Sequence, residues 1–136
     1  MIPGHEQAGV TILDVAACRE LLDAGAIGRV GYIAEGRPMI VPVDYLVHDN
    51  TIVFRADPGG KLLHIPLHHV CFEVDGSAAD HVWSVVVQGF ARDLTTAIGP
   101  EYQAMRDLTL ASHAPIENAH WISIDITEVS GRRLPA

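Results

Sequence analysis

The closing segment HWISIDITEVSGRR alternates, with Trp121, Ser123 and Asp125 on one side and Ile122, Ile124 and Ile126 on the other. A period of two predicts a half-buried strand. Upstream, RVGYIA and MIVPVDYLV flank the turn EGRP, TIVFRA follows the turn HDN, and VCFEVD and WSVVVQGFARDL are separated by GSAADHV. These runs are rich in Val, Ile and Tyr, and the first three are apolar on both faces, which predicts strands covered on both sides. Helical spacing occurs at three places. DVAACRELLDAG predicts a short helix with Asp14 as N-cap, Gly25 just past its end, and Val15, Cys18, Leu21 and Leu22 on one face. KLLHIPLHH predicts a second short helix limited by Pro66, and PEYQAMRDLTLA a third with Tyr102, Met105 and Leu108 at steps of three. Pro42 interrupts MIVPVDYLV, and because proline removes a ladder donor, that stretch is expected at an edge, at a bulge or where something other than a strand pairs.

The predicted order is helix, three strands, helix, two strands, helix, strand. Short turns between strands favour antiparallel pairing over a βαβ sheet. Six short strands with few helices fit a small closed barrel, mainly β with flanking helices. No internal repeat and no Pro/Gly/Ser linker divides the chain, so residues 1–136 are expected to form one domain, with residues 1–10 a loose arm.

Composition narrows the function. With 136 residues, 49% of them apolar, the chain can bury one small core. A net charge of −8 argues against a general nucleic-acid surface and against an anionic membrane. The N-terminus MIPGHEQAGVTIL shows neither a basic n-region nor a long apolar h-region, and no apolar stretch reaches membrane-spanning length. Cys18 and Cys71 each sit in an apolar segment and are expected to be buried free thiols in a reducing cytoplasm.

No G-x-S-x-G, H-E-x-x-H, C-x-x-C or G-x-G-x-x-G pattern is present. His64 and His68 have metal-compatible spacing, but Pro66 lies between them, so a solvated or capping histidine group is the expectation; His113 and His120 are no better placed. The stretch FRADPGGK stands out more. It holds the chain's only lysine, Lys61, with Arg55 six residues earlier and a glycine pair between them, in an otherwise acidic protein. Glycines let backbone N–H groups turn to an anion, and Arg and Lys grip phosphate as a fork and as a point charge. A solvated turn and a phosphate site both fit this pattern.

An opening helix followed by GRVGYIAEGRPMIVPVDYLVHDNTIVFRADPGGKL, then WSVVVQGFARDLT and HWISIDITEVSGRRL, resembles the pyridoxamine 5′-phosphate oxidase-related family of FMN-binding split barrels over about Asp14 to Arg133. The resemblance implies a six-stranded antiparallel split β-barrel and a homodimer with flavin sites at the subunit interface. It implies that Val41, Pro42, Val43, Asp44 and Tyr45 lie along the isoalloxazine ring, and that Arg55, Ala56, Gly60 and Lys61 hold the FMN phosphate. Gln88 would approach the ring or phosphate, and Trp121 would reach across from the partner. The family commonly places hydroxyl residues where this chain has Ala56 and Gly60, and an uncharged amide where it has Asp44.

The function implied is flavin-dependent oxidoreduction. The cofactor carries the hydride chemistry between a nicotinamide and a small acceptor such as a quinone or nitro compound, and no side chain need be catalytic. F420 is the alternative cofactor. A non-catalytic carrier of flavin, F420 or haem, or a barrel with an empty site, is the alternative function. The C-terminal Arg/His substrate motif of the true oxidases is absent, which argues against vitamin B6 oxidation.

Overall fold

Asp14 opens the first helix, its carboxylate accepting the Ala17 N–H at 2.8 Å as an N-cap does. The computed structural model describes residues 9–25, 27–57, 59–112 and 119–136, without the side chains of Lys61 and of residues 109–112. Helix α1 (Val15–Ala24) ends at Gly25, whose backbone is extended rather than left-handed. Glycine is needed there for another reason: a Cβ would collide with the Tyr45 hydroxyl. The helix buries only a narrow stripe, Cys18 and Leu22, with Leu21 against the core; Val15, expected on that face, is 61% exposed because it overhangs at the first turn.

Strands β2 (Ile27–Ala34) and β3 (Arg37–His48) form a hairpin closed by Glu35 and Gly36, both left-handed at φ 53° and 73°. Two left-handed residues give the turn whose twist matches that of the strands. Asp49, also left-handed, and Asn50 lead into β4 (Thr51–Ala56). After β5 (His69–Ser77) and β6 (His81–Asp93), helix α2 (Pro100–Ser112) precedes β7 (His120–Pro135). A short strand β1 (Thr11–Ile12), part of a segment with no strand pattern of its own, adds to β7 through Thr11↔Arg133 and Ile12↔Arg132.

The ring runs β7-β4-β3-β2-β5-β6 and closes where β6 pairs with β7, every pair being antiparallel. This is the expected six-stranded split barrel, with β1 as an addition. Its interior holds Val30, Tyr45, Ile52, Phe54, Phe72, Val85, Ile122 and Ile124, all at most 1% exposed. A smaller cluster lies outside the ring, where α2 packs on β3 and β4: Val53, Leu94 and Met105 with Ala97, Tyr102 and Trp121. It explains why β4 is apolar on both faces. On β7 the alternation holds for Ile122, Ile124 and Ile126 against the partly buried Trp121 and Asp125, and only Ser123, at 1% exposed, departs from it. Leu108 lies off the packed stripe of α2 and is 42% exposed.

The predicted helix KLLHIPLHH reduces to one 3₁₀ turn, Lys61–His64. Pro66 and left-handed Leu67 (φ 68°) take the chain out of helical geometry. Cys71, expected to be buried, is exposed on the outer face of β5; Cys18 is buried as expected, and both are free thiols.

Candidate functional site

Pro42 lies in a continuous β3, not at a break. Residues Arg37 to Asp44 of that strand pair with β2, whereas β4 pairs with β3 only from Tyr45 to His48. The N-terminal part of β3 therefore has a strand on one side only, which is where a proline is tolerated. At this split opens a cavity of about 220 Å³ lined by Pro42, Val43, Asp44, Arg55, Ala56, Asp57 and Leu62.

The cavity brings together five of the residues singled out in the sequence: Pro42, Val43, Asp44, Arg55 and Ala56. Gly60 forms its neighbouring turn, donating its N–H to Asp57 O at 2.9 Å and accepting from Leu63 N at 3.2 Å. Gly59 needs its glycine, with φ +87°, whereas Gly60 has φ −75°. A Cβ on Gly60 would lie 3.1 Å from Asp57 O, so a hydroxyl residue fits there only if the turn yields slightly. Lys61 starts the 3₁₀ turn, and its side chain lies outside the described residues. The turn is too short to bring a helix dipole to the site, so an anion there would depend on side-chain charge and individual N–H groups.

The other expected site residues do not line this cavity. Tyr45 is 1% exposed: its hydroxyl donates to Leu22 O at 2.6 Å, and its ring stands edge-on to Phe72 with centroids 4.8 Å apart. Burial, reinforced by the Asp23 charge, pushes its hydroxyl pKa up to about 12. Tyr45 is therefore a core residue that ties the end of α1 to the barrel. Val41 is half-buried and packs against the core. Gln88 lies on the outer face in a cross-strand row Ile40–Gly31–Cys71–Gln88, lining a shallow cavity of about 440 Å³. Three strand spacings separate Ile40 from Gln88, about 14 Å. Trp121 stands opposite Arg55 in the β4–β7 register, packs beside the α2 cluster and donates its backbone N–H to Thr95 Oγ1 at 3.0 Å.

Two features escaped the sequence reading. Asp57 and Leu62 complete the cavity wall, and only their place within FRADPGGKL pointed to them. Asp93, at the end of β6, accepts from Thr95 N at 2.9 Å and from Thr95 Oγ1, and its other oxygen lies 3.2 Å from His120 Nδ1. Partial burial pushes the Asp93 carboxyl up, but the hydrogen bonds from Thr95 and the contact with His120 outweigh it and hold the group below the usual carboxylate range. His120 faces Ala56 in the register, so this network braces the strand end beside the cavity.

A flavin phosphate fits this arrangement. The cavity carries Arg55, opens beside a strand edge that no other strand covers among the described residues, and lies next to the turn that holds the chain's only lysine. The fold and site define a split β-barrel with a candidate anion-binding cavity at its split. The family model described as pyridoxamine 5′-phosphate oxidase matches residues 14–133, and the chain belongs to that family. No curated protein matches the sequence. Among solved structures, the FAD-binding protein from Mycobacterium smegmatis is 30% identical, with a TM-score of 0.78 over 93% of this chain and 98% of that one. An FAD-binding protein from Mesorhizobium loti is 25% identical (TM-score 0.77; 91% of this chain, 97% of that one). A conserved protein of unknown function from Corynebacterium diphtheriae is 27% identical (TM-score 0.76; 93% and 98%).

Proposed function

We propose that this protein is a flavin-dependent oxidoreductase that works as a homodimer with the cofactor at the subunit interface. The observation that carries the reading is the cavity at the β3–β4 split, where the expected ring-binding stretch and phosphate-binding stretch meet. FMN, implied by the family resemblance, and FAD, named for two relatives, share the ring and the ribityl phosphate. When bound, the flavin supplies the hydride chemistry. Arg55 and Lys61 hold the phosphate, the open edge of β3 at Pro42 to Asp44 orients the ring, and Leu62 and Val43 exclude water from one wall.

A second copy completes the site. Pockets for small-molecule cofactors usually span about 300–1,000 Å³, and the cavity of one subunit has about 220 Å³. The outer face of β3, β2, β5 and β6 is continuous with it and presents Ile33 and Ile40, which are 68% and 69% exposed. Two large aliphatic side chains left in water beside a half-built site are best accounted for by a partner subunit that covers them. Trp121 and Gln88 lie outside the cavity of their own subunit, so any contact they make with a flavin would be with one shared across that interface.

The test is reduction of the flavin-loaded protein by NADH or NADPH without oxygen, followed by a quinone or a nitroaromatic. Bleaching of the flavin band by the nicotinamide and its recovery with the acceptor is the expected result. A bound flavin that neither donor reduces would contradict oxidoreduction and favour a carrier.

A further inference from the structure

The outer face of β3, β2, β5 and β6 is largely apolar, with Ile27, Ile33, Ile40 and Val86 exposed on it, yet it has a charged cluster at its centre. Arg29 on β2 stands between Pro42 of β3 and Glu73 of β5, and Glu73 in turn stands opposite Val86 of β6. The Arg29 guanidinium lies 3.1 Å from Glu73 Oε1 and 3.5 Å from Asp75 Oδ1, so one cation serves two carboxylates. From the flanking strands, β2 presents Arg29 to Glu73, and β6 presents Ser84, Val86 and Gln88, none of which titrates. Along β5 the same-face neighbours of Glu73 are Cys71 and Asp75, with His69 farther off against Phe90. Asp44 stands at the rim, opposite Ile27. Partial burial, reinforced by the hydrogen bond and charge of Asp75, pushes the Glu73 carboxyl up, and Arg29 offsets this only in part.

In an open subunit, water solvates the surplus carboxylate. A second copy laid on this face removes that water, and two copies, each with a net charge of −8, bring two such surpluses together. A carboxylate desolvated without a counter-charge takes up a proton instead. Resting on the two-copy reading above, we infer that Arg29, Glu73 and Asp75 make assembly of the shared site proton-linked: each subunit binds a proton at this cluster as the face closes, so the dimer tightens as pH falls. The proton goes to a carboxylate oxygen of the Glu73–Asp75 pair. It leaves one arginine–carboxylate pair and one neutral acid that can donate a hydrogen bond to its neighbour. Closure favours the protonated acid, so the added affinity is present below the titration of the cluster and is lost as pH rises through it. None of the three residues lines the cavity at the β3–β4 split, so the cluster acts on assembly rather than on contact with a flavin.

The experiment is sedimentation of the full chain without flavin, over a dilution series at pH values from about 5 to about 8, for wild type, Glu73→Gln and Asp75→Asn. Where the dimer persists at every dilution, the rate of subunit exchange is measured in place of the dissociation constant. Melting temperatures establish that the variants are folded. The wild-type dissociation constant is expected to fall by roughly tenfold or more from the alkaline to the acidic end, as one proton per subunit is taken up. Each variant removes the surplus charge and leaves Arg29 one carboxylate. Each is therefore expected to dimerise more tightly than wild type at the alkaline end and to respond far less to pH. Asp44 and His69 are intact in both variants, so any slope they supply survives the substitutions. Wild-type dissociation indifferent to pH, or folded variants that keep the wild-type slope, would overturn the inference and leave the two-copy flavin reading standing. A protein that is monomeric at every pH would overturn both.

Discussion

Lys61 is the chain's only lysine and stands one residue past Gly60, at the turn beside Arg55's cavity. If it holds phosphate, Lys61→Ala is expected to weaken flavin binding roughly tenfold or more, the worth of one charge-assisted hydrogen bond. A fluorescence titration that returns an unchanged dissociation constant would remove Lys61 from the site. Tyr45, at the end of the VPVDY stretch expected along the ring by its backbone, has a side chain that serves the core. Alternation of side chains explains it: Asp44 points out, so Tyr45 points in, where its hydroxyl satisfies the last turn of α1. Tyr45→Phe keeps the packing but leaves the Leu22 carbonyl without this donor, at a cost of about 1–2 kcal/mol in urea denaturation. The raised pKa adds a pH signature. Because the folded state holds the proton more tightly, this stabilisation is complete below the unfolded tyrosine value of about 10 and is lost as pH rises toward about 12. The phenylalanine variant is expected to lack that alkaline loss.

At the scale of elements, the strands with strong period-two or β-branched patterns were readable to within a few residues, and TIVFRA was readable to the residue as β4. What could not be read depended on contacts far apart in sequence. Thr11 and Ile12 become a strand because the end of β7 offers them an edge, and Ser123 is buried opposite Val53 in the β4–β7 register. The cavity is similar: FRADPGGK was visible as a charged turn, but its union with Pro42–Asp44 follows from the β3–β4 register, which no local pattern carries. The bulge at Gln88/Gly89 in β6 is another such element, with Gly89 so close to β7 that a Cβ would sit 2.5 Å from Asp125 O. Backbone cannot yield there cheaply, so Gly89→Ala is expected to destabilise by about 2–4 kcal/mol, measured by thermal or urea unfolding. An alanine variant as stable as wild type would show that the bulge relaxes. The Asp93 network also belongs to this scale. Its depressed carboxyl pKa adds stability above the unfolded value of about 4 that is lost as pH falls through the folded one. Asp93→Asn should therefore make acid unfolding less steep.

At the scale of the whole molecule, a closed ring solves the edge problem of a small sheet, and the price of closure with strands of unequal length is the split where β4 leaves β3. The same split opens the cavity, so the architecture that stabilises the chain also supplies its site. The family's fold was legible because order and spacing of several weak patterns agree across nearly the whole chain. The choice of flavin was not legible, since no motif in the chain separates one flavin from another. If the face bearing Ile33 and Ile40 is covered by a second copy, Ile40→Asp should give a folded monomer in sedimentation, with weakened flavin binding. Under the proposed function, two copies of this barrel would hold flavin at the cavity between β3 and β4. That reading is tested most directly by titrating the apo-protein with flavins while counting sites per subunit. Saturable binding of one flavin per subunit, weakened in Lys61→Ala, is the predicted result. Binding that is absent, or that is indifferent to Lys61 and to Ile40→Asp alike, would contradict the account.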